Sequence, residues 1–184
     1  MKKSIIAAGA ASVALAAMPI VGVFAEDVTS QVDTLDVTIT NTCTIASVTH
    51  AGTGAWTTNT LAKDVVAGEL NNGIGTSTFN IKCNNQTGWT VTAVAQPLTG
   101  KITTTQNIPV GTPAANTAAW QYVSSTTDAD VTAASTNTSP VASSAKTTGN
   151  DGKEFTMTYN VSTDTALSAQ TYEGNITYTL AANS

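Results

Sequence analysis

The sequence carries little charge and has no arginine. Only 10% of its 184 residues are charged, and the basic residues are seven lysines. Proteins that bind nucleic acids neutralise phosphates with Lys and Arg, and they read guanine edges with the paired donors of Arg. The composition therefore argues against a nucleic-acid partner.

Residues that carry catalytic or metal chemistry are also scarce. His50 is the only histidine, and no Gly-x-Ser-x-Gly elbow accompanies the nearby Ser47. The two cysteines do not form a Cys-x-x-Cys pair. Two carboxylate pairs fall short of the ligand number of a calcium loop, and we interpret them as solvated loop charges: Asp128 with Asp130, and Asp151 with Glu154. We expect no enzymatic activity, no cofactor and no bound metal.

The most informative feature is the N-terminus. Lys2 and Lys3 precede an almost uninterrupted apolar run at residues 5–23, which is followed by small or apolar residues at the −3 and −1 positions of a cleavage site. This arrangement is typical of a secretory signal peptide. It predicts a signal peptide at residues 1–25 and a single mature domain at residues 26–184.

Export places the mature protein outside the cytoplasm. The sequence therefore predicts a secreted protein, extracellular or on the cell-wall surface, that contacts the membrane only through its signal peptide. An uncleaved membrane anchor is the alternative, because the apolar run approaches the length that spans a bilayer. Cleavage would leave five lysines against twelve acidic residues, a net charge of −7.

The two cysteines, Cys43 and Cys83, predict a disulfide, because an even count in an exported chain favours pairing. Closing a loop of about 40 residues stabilises a fold by ~4 kcal/mol in the chain-entropy model. We expect both cysteines to face the core.

Strand patterns dominate the mature chain, in which threonine is abundant. Alternating apolar residues favour an all-β fold, an antiparallel two-sheet β-sandwich of Ig-like or Greek-key type with roughly seven to nine strands. Residues 78–83 and 89–92 are predicted to form a hairpin. The other expected strands lie at residues 35–39 (Leu35, Val37 and Ile39 inward), 43–48, 56–61, 101–105, 120–124, 155–161 and 176–180.

Two segments are predicted to be loops. Residues 62–75 contain residue types that are typical of loops, and the segment can include one short element of secondary structure. Residues 124–150 are almost entirely small and polar, with Val131 and Val141 as their only larger aliphatics. We expect the second segment to be one long, exposed and mobile polar loop, since it offers little apolar burial to offset the entropy of ordering.

Two short segments resemble the Trp-x-Leu (WxL) cell-surface domain family of bacteria. Residues 87–92 contain Gly-Trp-Thr-Val, and residues 169–180 lead from an Ala- and Tyr-containing turn into a closing strand. Val91 and Tyr178 stand where that family usually has Leu and a second Trp. The resemblance implies an exported β-sandwich with a structural or adhesive role, bound non-covalently to peptidoglycan or another cell-surface polymer.

The motif residues of that resemblance also fit a simpler role. Trp and Tyr bury large areas and favour strands, so the motif is either a wall-binding site or part of the core. Its members are Trp89, Val91, Tyr178 and Leu180.

A second resemblance is to chaperone-usher pilins and spore-coat-U-like domains. In these proteins a cysteine on the first strand pairs with one about 40 residues later in a Phe-x-Ile-x-Cys pattern, as Cys43 and residues 79–83 do here. The resemblance implies subunits that polymerise by donor-strand exchange with other surface proteins. Residues 27–42, with Leu35, Val37 and Ile39, are the candidate donor segment.

Overall fold

The computed structural model describes residues 37–184, so the predicted signal peptide and Leu35 lie outside the described residues. Every regular element in residues 37–184 is a β-strand, which confirms the predicted all-β class. No helix in this part of the chain is long and apolar enough to cross a membrane.

Thirteen strands follow one another in residues 37–184, and several are short. Their bounds are β1 Cys43–Ala51, β2 Ala55–Thr57, β3 Thr60–Ala62, β4 Leu70–Cys83, β5 Trp89–Ala95, β6 Leu98–Gly100, β7 Asn107–Ile108, β8 Ala119–Ser125, β9 Thr132–Ala133, β10 Ala142–Ser144, β11 Lys153–Ser162, β12 Tyr172–Glu173 and β13 Ile176–Ala182.

The strands form several antiparallel sheets. One four-stranded sheet has the order β1-β4-β11-β8, and a second has the order β13-β5-β10-β9. Strands β12, β6 and β7 form a three-stranded sheet, and β2 pairs with β3. Side chains of both four-stranded sheets contribute to the same hydrophobic core.

Strand β11 shows how alternation builds this core. Its inward side chains are the predicted ones, Phe155, Met157, Tyr159 and Val161, and all four are buried. Phe155 stacks on Phe79 of β4, with ring centroids 4.9 Å apart. Burying a side chain of this size contributes roughly 1.5–3 kcal/mol, so such alternating rows supply most of the stability of the sheet.

The predicted hairpin of residues 78–83 and 89–92 is wrong. Strand β4 pairs with β1 and β11, whereas β5 pairs with β13 and β10, so residues 84–88 carry the chain from one sheet to the other. Gly88 ends this connection with φ +87°, and a Cβ there would lie 1.9 Å from the carbonyl oxygen of Ser144. The path of residues 84–88 therefore depends on the close approach of the β10 backbone to Gly88. The local sequence does not reveal this contact.

Two predictions for the middle of the chain also need correction. Strand β4 begins at Leu70, so the second half of residues 62–75 is strand rather than loop. Residues 101–105 form turns instead of a strand, because the side-chain oxygen of Gln170 accepts the backbone N–H groups of Ile102 and Thr103 at 2.7 and 2.8 Å.

The predicted long polar loop at residues 124–150 is wrong as well. It contains β9 and β10, and β10 pairs with β5 in the second four-stranded sheet. Val131 and Val141 are buried, and the Val141 N–H donates to the Val91 carbonyl at 2.9 Å. Backbone hydrogen bonds to neighbouring strands stabilise this segment, and its small side chains allow those strands to approach closely. Both effects compensate for the low apolar content of residues 124–150.

Candidate functional site

The disulfide between Cys43 and Cys83 joins β1 to β4, as predicted. The two cysteines are direct partners in the antiparallel register of these strands. Cys83 is buried, while Cys43 is half-buried. The backbone N–H of Cys83 also donates to the Thr148 hydroxyl at 2.8 Å, so the end of β4 is held on both sides.

Trp89 and Val91 lie in the core. Both are on β5, and neither has any exposed surface. The indole Nε1 of Trp89 is buried without a hydrogen-bond partner in the described part of the chain. A polymer bound at the protein surface cannot contact these two side chains in this conformation.

Tyr178 and Leu180 occupy inward positions on β13 and are half-buried. The Tyr178 ring packs against Phe79, with centroids 4.7 Å apart, and its hydroxyl lies 2.9 Å from that of Tyr159. Burial, with the neighbouring Tyr159 as a second cause, raises the pKa of the Tyr178 hydroxyl well above its ordinary value. These motif residues therefore pack against the core along the outermost strand of their sheet.

His50 hydrogen-bonds to Ser77 and Asn59 and not to Ser47, which lies near it in the sequence. Its Nδ1 lies 3.0 Å from the hydroxyl of Ser77, not of Ser47, and its Nε2 lies 3.2 Å from Asn59 Oδ1. Tyr159 donates to the same Ser77 hydroxyl at 3.0 Å. Since Ser77 is only 2% exposed, the arrangement links strands through hydrogen bonds rather than presenting a nucleophile.

The Asp128–Asp130 pair contacts lysines. Lys153 Nζ lies 3.0 Å from Asp128 Oδ1 and 3.2 Å from Asp130 Oδ2, and Lys146 also pairs with Asp130. Hydrogen bonds from Lys146 and Lys153 lower the pKa of Asp130. The second carboxylate pair, Asp151 with Glu154, has different contacts. Glu154 Oε1 accepts a 3.2 Å hydrogen bond from the side-chain amide of Asn80.

Two neighbouring edge strands form the surface feature best suited to binding. Within residues 37–184, β1 pairs as a strand only with β4 and β13 only with β5, and β1 and β13 lie beside each other. We call their adjacent edges the open seam. It is lined by apolar side chains that remain partly exposed: Ile45, Val48, Ile176, Tyr178 and Leu180.

The two strands of the open seam run in opposite directions. The Cys83 Sγ, disulfide-linked to the start of β1, lies 3.8 Å from the Gly88 carbonyl oxygen. That oxygen also accepts the N–H of Asn183, one residue after the end of β13. The start of β1 and the end of β13 therefore meet at one end of the seam. An unpaired edge of this kind is a template for pairing with another strand.

The described part of the segment before β1 does not form the predicted inward-facing strand. Residues 37–42 are in no strand, and Val37 and Ile39 are 72% and 78% exposed. Alternation of apolar residues is thus present, but no described sheet contains residues 37–42. We call residues 27–42 the arm; residues 37–42 are its described part.

Comparison with known proteins adds no assignment. No protein-family model, curated protein or solved structure matches the chain. The resemblances to WxL domains and to pilin-like domains therefore remain hypotheses.

The sequence patterns missed two features of this region. They did not connect His50 with Ser77, because residues 27 positions apart meet only through the β1–β4 register. They also gave no role to Asn84, which hydrogen-bonds to the arm at Thr40 and Thr42. A polar residue directly after the last strand residue was the only local signal for it.

Proposed function

We propose that this protein is an exported, non-enzymatic bacterial surface subunit with a structural role, and that its copies join when the arm of one copy pairs with the open seam of another. The observation that carries the proposal is the coexistence of two neighbouring unpaired edges and an exposed apolar alternation in the same chain.

The strand order supports this proposal. In a constant-type immunoglobulin sandwich one sheet has the order A-B-E-D, and the other contains C, F and G. We infer that the two four-stranded sheets form such a sandwich, since β1-β4-β11-β8 corresponds to A-B-E-D and β13-β5 to F-C. No described strand stands beside β13 in the position of strand G. An arm from a second copy is suited to that position.

The side chains of the arm suit the open seam. Leu35, Val37 and Ile39 alternate with Asp36 and Thr38, so an extended arm presents one apolar and one polar face. Pairing with β13 would satisfy backbone donors and acceptors at its edge and cover the partly exposed apolar row. Each aliphatic side chain that becomes fully buried contributes roughly 1.5–3 kcal/mol.

The disulfide is compatible with the extracellular location that the proposal requires. Disulfides persist in oxidising compartments and are rare in the cytosol. The Cys43–Cys83 bond fixes the start of β1, the strand into which the arm leads. It therefore suits a subunit that must keep this edge in place outside the cell.

Sedimentation velocity of residues 26–184 over a range of concentrations tests the assembly. We expect concentration-dependent polymers of the wild-type chain. The double variant Val37→Thr, Ile39→Thr should remain monomeric, because it removes apolar surface from the arm without disturbing buried residues. The matched control is Val66→Thr, Ile102→Thr, which alters two similarly exposed aliphatics and should polymerise like the wild type.

A labelled peptide of residues 27–42 provides the complementary measurement. It should bind the monomeric arm variant, whose seam is intact, with one peptide for each chain. A wild-type chain that stays monomeric at all concentrations, together with an arm variant that does not bind the peptide, would refute strand exchange.

Non-covalent attachment to the cell wall is the second candidate function. Because Trp89 and Val91 are buried, the support comes from the opposite face of the same strands. There Thr92 of β5 and Thr179 of β13 are exposed residues on registered partners, and the exposed Thr177 lies two positions before Thr179. A row of hydroxyls on a sheet face is suited to hydrogen-bonding with a polysaccharide such as peptidoglycan.

Pelleting with purified cell walls tests this second function. The variant Thr92→Val, Thr179→Val keeps the side-chain shape and removes the hydroxyls, so specific pelleting should be lost. Thr49→Val, on the exposed side of β1, is the control. Equal pelleting of wild type and both variants, or no pelleting at all, would contradict wall binding at this face.

A further inference from the structure

Asn84 makes three hydrogen bonds to the base of the arm. Its backbone N–H donates to the Thr42 carbonyl at 3.1 Å, and its side-chain Oδ1 accepts the Thr42 N–H at 2.6 Å. Its side-chain Nδ2 donates to the Thr40 carbonyl at 3.0 Å. One residue therefore binds backbone groups on both sides of Asn41.

These hydrogen bonds continue the pairing of β1 with β4. Cys43 pairs with Cys83, so Thr42 opposite Asn84 is the next position of the same antiparallel register. The Thr40 and Thr42 carbonyls, two residues apart, both point toward Asn84, which is the spacing of an extended strand. Residues 40–42 thus prolong the line of β1 and do not reverse it.

A reversal at this place is what self-insertion of the arm requires. The start of β1 and the end of β13 lie at the same end of the open seam, so an arm entering its own seam must turn back directly before Cys43. Asn41 and its neighbours are residues that readily form such turns. Without a constraint, the tethered arm has the advantage of an effective concentration in the millimolar range.

We propose that Asn84 is a positioning residue that keeps the arm from reversing into its own seam and so directs it to a second copy. This inference rests on the proposed strand exchange and names the residue that selects exchange between copies over closure within one copy. The selection is needed because, at micromolar protein, closure within one copy would outcompete pairing between copies by roughly 1,000-fold.

The test compares polymer formation by Asn84→Ala and by the wild type, both as residues 26–184. Asn84→Ala removes both side-chain hydrogen bonds and should shift the protein from polymer to monomer by at least about tenfold at equal micromolar concentration. Asn84→Asp keeps the acceptor for the Thr42 N–H, loses the donor to Thr40, and should be intermediate. Asn150→Ala, at the same exposed surface depression but without these contacts to the arm, should polymerise like the wild type.

Peptide binding separates a closed seam from a damaged one. The Asn84→Ala monomer should not bind the labelled peptide of residues 27–42, because its own arm occupies the seam. Adding Val37→Thr and Ile39→Thr to Asn84→Ala should restore binding. A merely destabilised seam would not regain the peptide when its arm is weakened.

The possible outcomes are distinguishable. Polymerisation of Asn84→Ala equal to that of the wild type overturns the role of Asn84 and leaves strand exchange intact. Failure of the triple variant to bind the peptide, while Val37→Thr, Ile39→Thr binds it, means that Asn84 supports the seam structurally and also overturns the inference. A wild-type chain that neither polymerises nor has a peptide-binding seam removes the proposed function and this inference together.

Discussion

The hydroxyl oxygens of Tyr159 and Tyr178 lie 2.9 Å apart and connect the two four-stranded sheets. Tyr159 belongs to β11 of the first sheet and also donates to Ser77 of β4, while Tyr178 belongs to β13 of the second. Through Ser77 the connection reaches His50 on β1. Both edges of the open seam are therefore attached to one hydrogen-bond chain through the interior.

Removing the Tyr178 hydroxyl should weaken this connection. We expect Tyr178→Phe to lower the free energy of unfolding by about 0.5–1.5 kcal/mol, the usual net value of one hydrogen bond. Tyr122→Phe is the control, since it also keeps the ring and removes only the hydroxyl. Within residues 37–184 the hydroxyls of Tyr159 and Tyr178 form hydrogen bonds, whereas none is found to the Tyr122 hydroxyl. Urea denaturation at pH 7 measures both; equal effects would contradict the role of the pair.

The same tyrosines predict a loss of stability at alkaline pH. Burial raises the pKa of both Tyr159 and Tyr178 above the ordinary value of 10.0, so the folded chain keeps protons that the unfolded chain releases. Their contribution is complete below pH 10 and is lost as the pH rises through the folded-state pKa values. Above pH 10 the unfolding free energy should fall by up to ~1.4 kcal/mol per pH unit for each tyrosine, and less steeply in Tyr178→Phe.

Gly88 should not tolerate a side chain. A Cβ at this position meets the Ser144 carbonyl oxygen at 1.9 Å, and its φ of +87° is unfavourable for other residues. We expect Gly88→Ala to destabilise the fold by roughly 3 kcal/mol or more. Gly149→Ala shares a positive φ of +69° but has open space, so it should cost roughly 1–2 kcal/mol. Similar melting temperatures for the two variants would refute the steric argument.

Val141 tests whether residues 124–150 belong to the fold. It is 1% exposed, and Val141→Ala should lower the unfolding free energy by about 2 kcal/mol. Val94→Ala, at an exposed position of β5, is the matched control and should change it by less than about 1 kcal/mol. A neutral Val141→Ala, or proteolytic cleavage of the native chain first at this segment, would support the loop interpretation instead.

The disulfide should contribute measurably to stability. Reduction removes a cross-link between residues 40 positions apart, and the typical loss for a disulfide is roughly 2–4 kcal/mol, with the chain-entropy model at the upper end. Denaturation midpoints with and without reductant measure this loss. The double variant Cys43→Ala, Cys83→Ala should give a similar midpoint under both conditions, and a wild-type midpoint that ignores reductant would contradict the prediction.

Local alternation was sufficient to find β11 and β13. Phe155, Met157, Tyr159 and Val161 of β11 were assigned to one inward face from sequence alone, and β13 was found in the same way. Side chains of a strand alternate between two faces wherever the strand lies, so this signal does not depend on its partners. The disulfide followed from the cysteine count in a chain with a predicted signal peptide.

Strand partners and close contacts between backbones could not be predicted from local alternation. Residues 78–83 and 89–92 look like a hairpin locally, but they belong to different sheets, because Gly88 allows the backbone to pass against Ser144 of β10. Residues 124–150 look like a loop, but backbone pairing with β5 and the burial of two valines order part of them. Both results depend on contacts between residues far apart in the chain.

The features of the candidate site fall into the same two groups, local sequence patterns and contacts between distant residues. The alternation of Leu35, Val37 and Ile39 and the availability of Cys43 and Cys83 for pairing were visible in the sequence. The burial of Trp89, the adjacent unpaired edges of β1 and β13, and the hydrogen bonds from Asn84 to the arm became visible only in the fold. Alternation is a property of one strand, whereas an open edge and a hydrogen bond across 42 positions exist only after distant segments have packed.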